Sequence, residues 1–304
     1  MDQILGNIGL LIEFPIVNIA IIIEGLMIGA LFALAAYGLA LVWGVMNVKN
    51  LAQGDFVIAG GYVSWWLVNN IGMHPLLGVP VAFVVMWGIG WATYKLVISR
   101  VIERDLFTSL LATFGLAIMM AQIMNLLFGS DTQSLTLDMP VLEFADGFVQ
   151  LPMAKVLGVL MACSLALGVV LFMKNSRMGQ AIRATAQDAR AARVLGIDTE
   201  KVYAFTFSLN SAICGAAGAI IVMVWVIQPF YGITYSIRAF VVVTAAGLGN
   251  LPGVIAAGLG IGAAEQYGGH IFGIGYQQAI AVIILLLVLI VRLLQQRRNR
   301  QVLQ

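Results

Sequence analysis

Nine apolar stretches, separated by short polar or glycine-marked breaks, account for most of the chain. They run Ile16 to Met46, Phe56 to Asn70, Leu76 to Ile98, Leu106 to Phe128, Met153 to Met173, Val202 to Ile227, Ile237 to Leu248, Pro252 to Tyr267 and Gly273 to Leu294. Most approach or exceed the ~20 residues a helix needs to cross a bilayer, and none alternates as a barrel strand would. The pattern therefore predicts an all-α membrane protein, a polytopic bundle of eight or nine transmembrane helices. The first stretch is longer than one perpendicular crossing and must tilt or carry an extra piece. The seventh and eighth, joined by GLGNLPG, are short and glycine-interrupted, so one of them can be re-entrant. Asn47 to Asp55 is polar yet feeds straight into the second stretch, which predicts irregular backbone shielded by protein at membrane depth. Gly25 and Gly29 stand four apart, the spacing that lets a second helix approach closely.

Composition agrees: 61% of residues are hydrophobic and 10% charged, with mean hydropathy +0.99. A soluble domain carries about 25% charged residues. No stretch leaves room for a soluble domain, so residues 1–304 read as one membrane domain. The net charge of +2 matters less than where the charges lie. With the N-terminus outside and nine crossings, fourteen of the sixteen Lys and Arg residues fall on the inner side. Only Lys155 and Arg238 then face outward, in keeping with the positive-inside rule. Eight crossings would move the ends without changing which loops are basic. Cys163 and Cys214 both lie in apolar stretches and predict small buried side chains rather than a disulfide. No basic region precedes Ile16, which predicts no cleaved signal peptide.

Residues 174–201, KNSRMGQAIRATAQDARAARVLGIDTEK, form the one long polar island, and residues 129–152 form an acidic loop with Asp131, Asp138, Glu143 and Asp146. The island holds Lys174, Arg177, Arg183, Arg190, Arg193 and Lys201. Ala, Gln and Arg without Pro predict a helix through its middle, with Gly196 as the stop. Asp198 or Thr199 would cap the next helix. Met178, Ile182, Ala186 and Ala189 share one stripe; Arg183, Gln187 and Arg190 share its neighbour. Two readings stand: a helix docked in a groove of a soluble partner, or one lying on anionic headgroups.

Candidate chemistry is sparse. GxxxxGK[ST] is absent, so any ATP-driven step belongs to another subunit. His74 and His270 lack partners at metal-ligand spacing, and no GxSxG elbow occurs. Nothing points to an enzyme or to a cofactor held by this chain. Glu24, Asp55 and Glu265 lie within apolar stretches, where ionisable groups are costly and face the bundle interior. They could meet a substrate ammonium or amide, carry protons, or brace the backbone. Gln53, Asn210, Gln228, Asn250 and Gln266 are weaker candidates, more often interhelical glue. Trp65, Trp66 and Trp87 fit interfacial or lipid-facing anchors rather than a substrate cage.

Three stretches carry a resemblance together: NVKNLAQGDFVIAGGYV, SRMGQAIRATAQDARAARVLGIDTEKV and AAGLGNLPGVIAAGLGIGAAE. In this order and spacing they resemble the permease family of high-affinity branched-chain amino acid ABC importers, specifically its LivH-type subunit. The resemblance implies a multi-pass protein of the bacterial inner membrane, with a periplasmic N-terminus and cytoplasmic C-terminus. It implies a LivM-type second permease, two ATPase subunits that hold ATP and Mg, and a periplasmic substrate-binding protein. It makes the 174–201 island the cytoplasmic coupling segment, with Met178, Gly179, Arg183, Asp188, Arg190, Leu195 and Gly196 as ATPase contacts. On this reading the intramembrane candidates Glu24, Gln53, Asp55, Asn210, Gln228 and Glu265 are expected to line the substrate path, and the acidic loop Gly129 to Leu151 and the Gln228 to Arg238 turn to receive the loaded binding protein. Family cargoes include leucine, isoleucine and valine, and in related systems other amino acids, urea or short amides. Departures are Gln53-Gly54-Asp55 where His-Gly-Asp/Glu is common, Glu24 in place of an uncharged polar residue, and a shorter 228–238 turn. The competing classes are a proton-driven secondary transporter using the three acids, and a structural subunit without a solute path.

Overall fold

The structure is a computed structural model that describes residues 2–102, 104–135, 137, 139–144, 149–247 and 249–301. Glu103, Asp138 and Asp146 lie outside the described residues. The helices are α1 (Asp2–Glu13), α2 (Pro15–Met46), α3 (Gln53–Ile71), α4 (Pro75–Thr93), α5 (Ser99–Val101), α6 (Leu106–Phe128), α7 (Met153–Asn175), α8 (Arg177–Gln187), α9 (Ala189–Val194), α10 (Thr199–Val224), α11 (Gly232–Ala246), α12 (Leu251–Phe272) and α13 (Gln277–Gln301). A π turn, Tyr94–Ile98, joins α4 to α5. Nine of these helices, α2, α3, α4, α6, α7 and α10 to α13, answer to the nine apolar stretches. Among the described residues six are long and apolar enough on their own to cross a membrane. The exceptions are α3, α11 and α12. All three are glycine-bearing and packed against the interior helices.

Helix α10 is the axis: 94% of its apolar window is buried, against 6% for Ile274–Val291. It packs on α2, α3 and α4. Small residues make this possible. A β-carbon on Gly262 of α12 would strike the Gly29 backbone of α2, and one on Gly60 of α3 would strike Gly215 of α10. Gly90 of α4 likewise lies against Ser211 of α10. The predicted Gly25/Gly29 approach is therefore real, and its partner is α12.

Helix α3 begins inside the layer. Its first residue, Gln53, donates from Nε2 to the Ala35 carbonyl of α2 (2.8 Å) and to Asn210 Oδ1 of α10 (3.0 Å). Ala35 stands eleven residues before the end of α2, about 16 Å along a helix. The chain thus leaves α2 at Asn47, in the left-handed region (φ 53), and re-enters the bundle before α3 starts. Helix α11 starts at the same place from the other side: Ser236 accepts from the Gly54 amide (2.8 Å) and donates to the Leu51 carbonyl (2.8 Å). The expected Gln228 to Arg238 turn is shorter: only Pro229–Tyr231 is a 3-10 turn, and helix begins at Gly232. The reason is that Gly232 lets the α11 backbone abut Asp55.

The two halves of the chain repeat each other upside down. Helix α2 packs antiparallel on α12, and α10 packs antiparallel on α4, with Gly25 opposite Ala263 and Gly90 opposite Ser211. Helices α3 and α11 diverge from their shared N-terminal meeting point, and each packs on the long helix of the other half. This is the inverted arrangement that places a site where broken helices meet. Helix α7 stands outside the repeat and packs on α2 and α10.

At one end of the bundle the polar island folds as two helices rather than the single one expected. Asp188 breaks it by leaving the helix (φ −156, ψ 106) and accepting from the amides of Arg190 (2.8 Å) and Ala191 (3.0 Å). Asp prefers such caps to helix interiors. These bonds hold the Asp188 carboxyl below the usual carboxylate range. Gly196 adopts φ +85 and stops α9 as expected, and Asp198 caps α10 through the Lys201 amide. Residues 129–152 supply a β-hairpin, β1 (Val141–Phe144) on β2 (Val149–Pro152). Gln133 also exchanges backbone bonds with Ile227. Cys214 is buried as expected, but Cys163 of α7 is exposed.

Replacing Gly262 with Val forces α12 off α2. It should destabilise the protein by about 1–3 kcal/mol, read as a lower thermal midpoint in detergent. Gly260→Ala, where nothing lies within 4 Å, should be neutral. Asp188→Ala should expose the Arg190 and Ala191 amides to faster hydrogen exchange, while Asp188→Asn, which keeps an acceptor, preserves protection. Because the folded carboxyl is depressed, the cap is complete above the ordinary Asp value near ~3.9. It is lost only as pH falls through the lower folded value.

Candidate functional site

The broken helices create two polar places in the interior. The first is the knot at their meeting point. Gln53 and Asn210 exchange amide bonds (3.0 and 3.1 Å) beside Cys214, and all three side chains are buried. Asp55 lies in the first turn of α3 and against the first turn of α11, where a β-carbon on Gly232 would collide with its carboxylate. The first turns of two helices thus meet at this one carboxyl, an end of the helix where acidic side chains are favoured. No open volume reaches Gln53 or Asn210, both 0% exposed.

The second place is a cavity of about 250 Å³ lined by Ile28, Phe32, Trp225, Tyr235, Arg238, Glu265, Gln266, Ile274 and Gln277. It lies towards the end of the bundle opposite the polar island, beside the last residues of α10 and the first of α13. Arg238 of α11 donates from Nε to both oxygens of Glu265 on α12 (3.0 and 3.3 Å). Its guanidinium lies 4.8 Å over the Phe32 ring, and Phe32 stacks on Trp225. The next residue, Gln266, donates to Glu24 (3.0 Å) and accepts from Gln277 (3.1 Å), while Glu24 also pairs with Lys155 of α7. Each membrane acid therefore has a cation or a helix terminus. The result is a neutral, aromatic-walled cavity that presents one carboxylate and one guanidinium side by side.

The expected path residues thus separate. Gln53, Asp55 and Asn210 form the knot, and Glu24 and Glu265 join at the cavity through Gln266. Gln228 stands apart before the 3-10 turn, its carbonyl accepting from Tyr231. Asn250 caps α12 through the Gly253 amide (3.0 Å). Trp87 is half-buried and packs edge-on against Phe205. Arg238 and Lys155 read in the sequence only as the two outward-facing cations, not as partners of buried acids. The signal that could have found them is that each is a cation in an apolar segment, with an acid in another segment to match. Among the described residues no three His, Cys, Asp or Glu side chains come close enough to hold a metal.

The coupling candidates also divide in two. Gly179 lies against the Met173 carbonyl, where a β-carbon would clash, and Arg183 donates from Nη1 to that same carbonyl. With half-buried Met178 they hold the corner between α7 and α8. Asp188, Arg190, Leu195 and Gly196 face outward, and Val194 and Leu195 are 88% and 79% exposed. Buried Ile182, Thr185 and Ala192 fix the helices from behind.

Comparison with known proteins bears on this arrangement. The chain is 28% identical over 273 residues to the high-affinity branched-chain amino acid transport system permease protein BraD of Pseudomonas aeruginosa, covering 86% of this chain and 89% of that one. It is 28% identical to the corresponding LivH protein of Escherichia coli K12, covering 85% and 88%. It is 30% identical over 265 residues to a probable branched-chain amino acid transport permease protein LivH of Methanocaldococcus jannaschii, covering 84% of each. Its fold is similar to a chain of PsaBC from Streptococcus pneumoniae in complex with Fab, with TM-score 0.51, 12% identity and coverage of 94% and 95%. Residues 21–293 match the family described as branched-chain amino acid transport system / permease component, and the chain belongs to that family.

Proposed function

We propose that this chain is one membrane subunit of an ATP-driven importer of branched-chain or related amino acids in the bacterial inner membrane. A LivM-type permease completes the pathway, two ATPase subunits supply ATP and magnesium chemistry, and a periplasmic binding protein delivers the solute. The N-terminus faces the periplasm and the C-terminus the cytosol, as the distribution of Lys and Arg demands. The hairpin of residues 129–152 and the Gln228 to Arg238 segment receive the binding protein. The observation that carries this reading is the bridge α8–α9. It is rigidly capped, seated on buried Ile182 and Thr185, and tipped with Val194 and Leu195 exposed to water. Exposed apolar side chains on a fixed polar scaffold suit a groove on a soluble motor. ATPase closure would then move α7 and α10, to which the bridge is joined, as rigid bodies.

The cavity at Arg238 and Glu265 suits an amino acid in transit. Its carboxylate would meet the guanidinium, its ammonium the Glu265 carboxylate, and its apolar side chain Ile28, Phe32 and Trp225. Bidentate recognition of a carboxylate is what Arg does best. Both acids of the cavity region already hold a cation, which favours solute contact over proton relay.

In proteoliposomes holding the whole complex, Leu195→Asp should lower ATP-driven uptake about tenfold or more. Burying a Leu in the partner's groove contributes ~1.5–3 kcal/mol, and ~1.4 kcal/mol is tenfold. Normal uptake by this variant, or wild-type uptake that collapses with the proton gradient at constant ATP, would overturn the importer reading. Arg238→Ala strands the Glu265 charge and should cost about 3–5 kcal/mol of stability. The double variant Arg238→Met with Glu265→Met should recover expression and assembly yet lose uptake. Retained uptake would make the pair a purely structural lock.

A further inference from the structure

Helix α7 lies outside the inverted repeat and leaves a groove on each side. On one side, α2, α7 and α12 enclose about 690 Å³. Its walls are apolar, with Leu34, Leu167, Val170, Ile255 and Leu259 prominent. Two cations close the end nearest the polar bridge: Lys174 in the last turn of α7, and Arg183 of α8. Arg183 spends one N–H on the Met173 carbonyl and keeps the rest of its five donors. No carboxylate lines the groove. Among the described residues neither cation has an acid partner. On the other side of α7, the groove between α4, α7 and α10 is of matching size, about 680 Å³, and carries no charged residue at all. The fold thus builds two similar apolar slots and places cations at the mouth of only one.

We propose that the α2/α7/α12 groove is a binding site for an anionic phospholipid. One acyl chain lies along Leu167, Val170, Ile255 and Leu259, and the phosphate is held by Lys174 and Arg183. The apolar length demands a hydrocarbon tail, and the two uncompensated cations at the polar end demand a negative head. A helix of another protein would satisfy the walls but would have to bring its own acid to this mouth. The site is independent of the cargo; only the choice of the cytosolic leaflet rests on the orientation proposed above. Since Arg183 also holds the α7–α8 corner, the lipid would stiffen the base of the bridge.

The test is native mass spectrometry of the purified, delipidated complex titrated with phosphatidylglycerol or phosphatidylethanolamine. Wild-type protein should retain phosphatidylglycerol about tenfold better. Lys174→Gln combined with Arg183→Gln should abolish that preference. Leu167→Trp, which fills the groove and leaves both cations, should abolish retention, whereas Leu165→Trp in the uncharged groove should not. Cys163, which lines the groove, should react more slowly with a maleimide when phosphatidylglycerol is bound, and buried Cys214 should stay silent. Equal retention of the two lipids, unchanged retention in Leu167→Trp, or a crosslink from Cys163 to the second permease would each overturn the proposal.

Discussion

A helix that starts inside an apolar layer has first-turn amides and preceding carbonyls that water cannot reach, and each must find a protein partner. Two helices here start that way, and the rest of the molecule is arranged around closing those bonds. Gln53 answers the Ala35 carbonyl, and Ser236 serves both the Leu51 carbonyl and the Gly54 amide. Asn210 locks Gln53 from the axial helix. Because these bonds reach from α3 to α2, α10 and α11, the two halves of the chain cannot slide independently.

Close approach is the second half of that solution. Lipid offers no hydrophobic drive for helix association, so packing distance and hydrogen bonds must supply it. Glycine and serine at the α2–α12 and α4–α10 crossings bring backbones together at equivalent places in the two halves. The consequence is an inner pair of close crossings, with helix α7 packed outside them on α2 and α10.

Charge is treated differently at the two ends. Towards one end the acids Glu24 and Glu265 are matched one to one by Lys155 and Arg238. At the other end Lys174 and Arg183 have no such match among the described residues. The same residue type therefore does two jobs, set by whether an acid lies within reach.

Sequence by itself determined the class, the apolar stretches, the basic side and the polar bridge, because these depend on local composition and on the ~20-residue thickness of a bilayer. It also determined the stop at Gly196, the cap at Asp198 and the close approach at Gly25 and Gly29, since single residues decide such features. Tertiary structure alone decided that Gln53 starts a helix deep in the bundle, that Asp188 splits the bridge, and that Gly232 begins a helix. It alone joined Arg238 to Glu265, and Lys155 to Glu24, across 27 and 131 residues. Such pairings depend on which faces meet, and no local pattern along the chain records that.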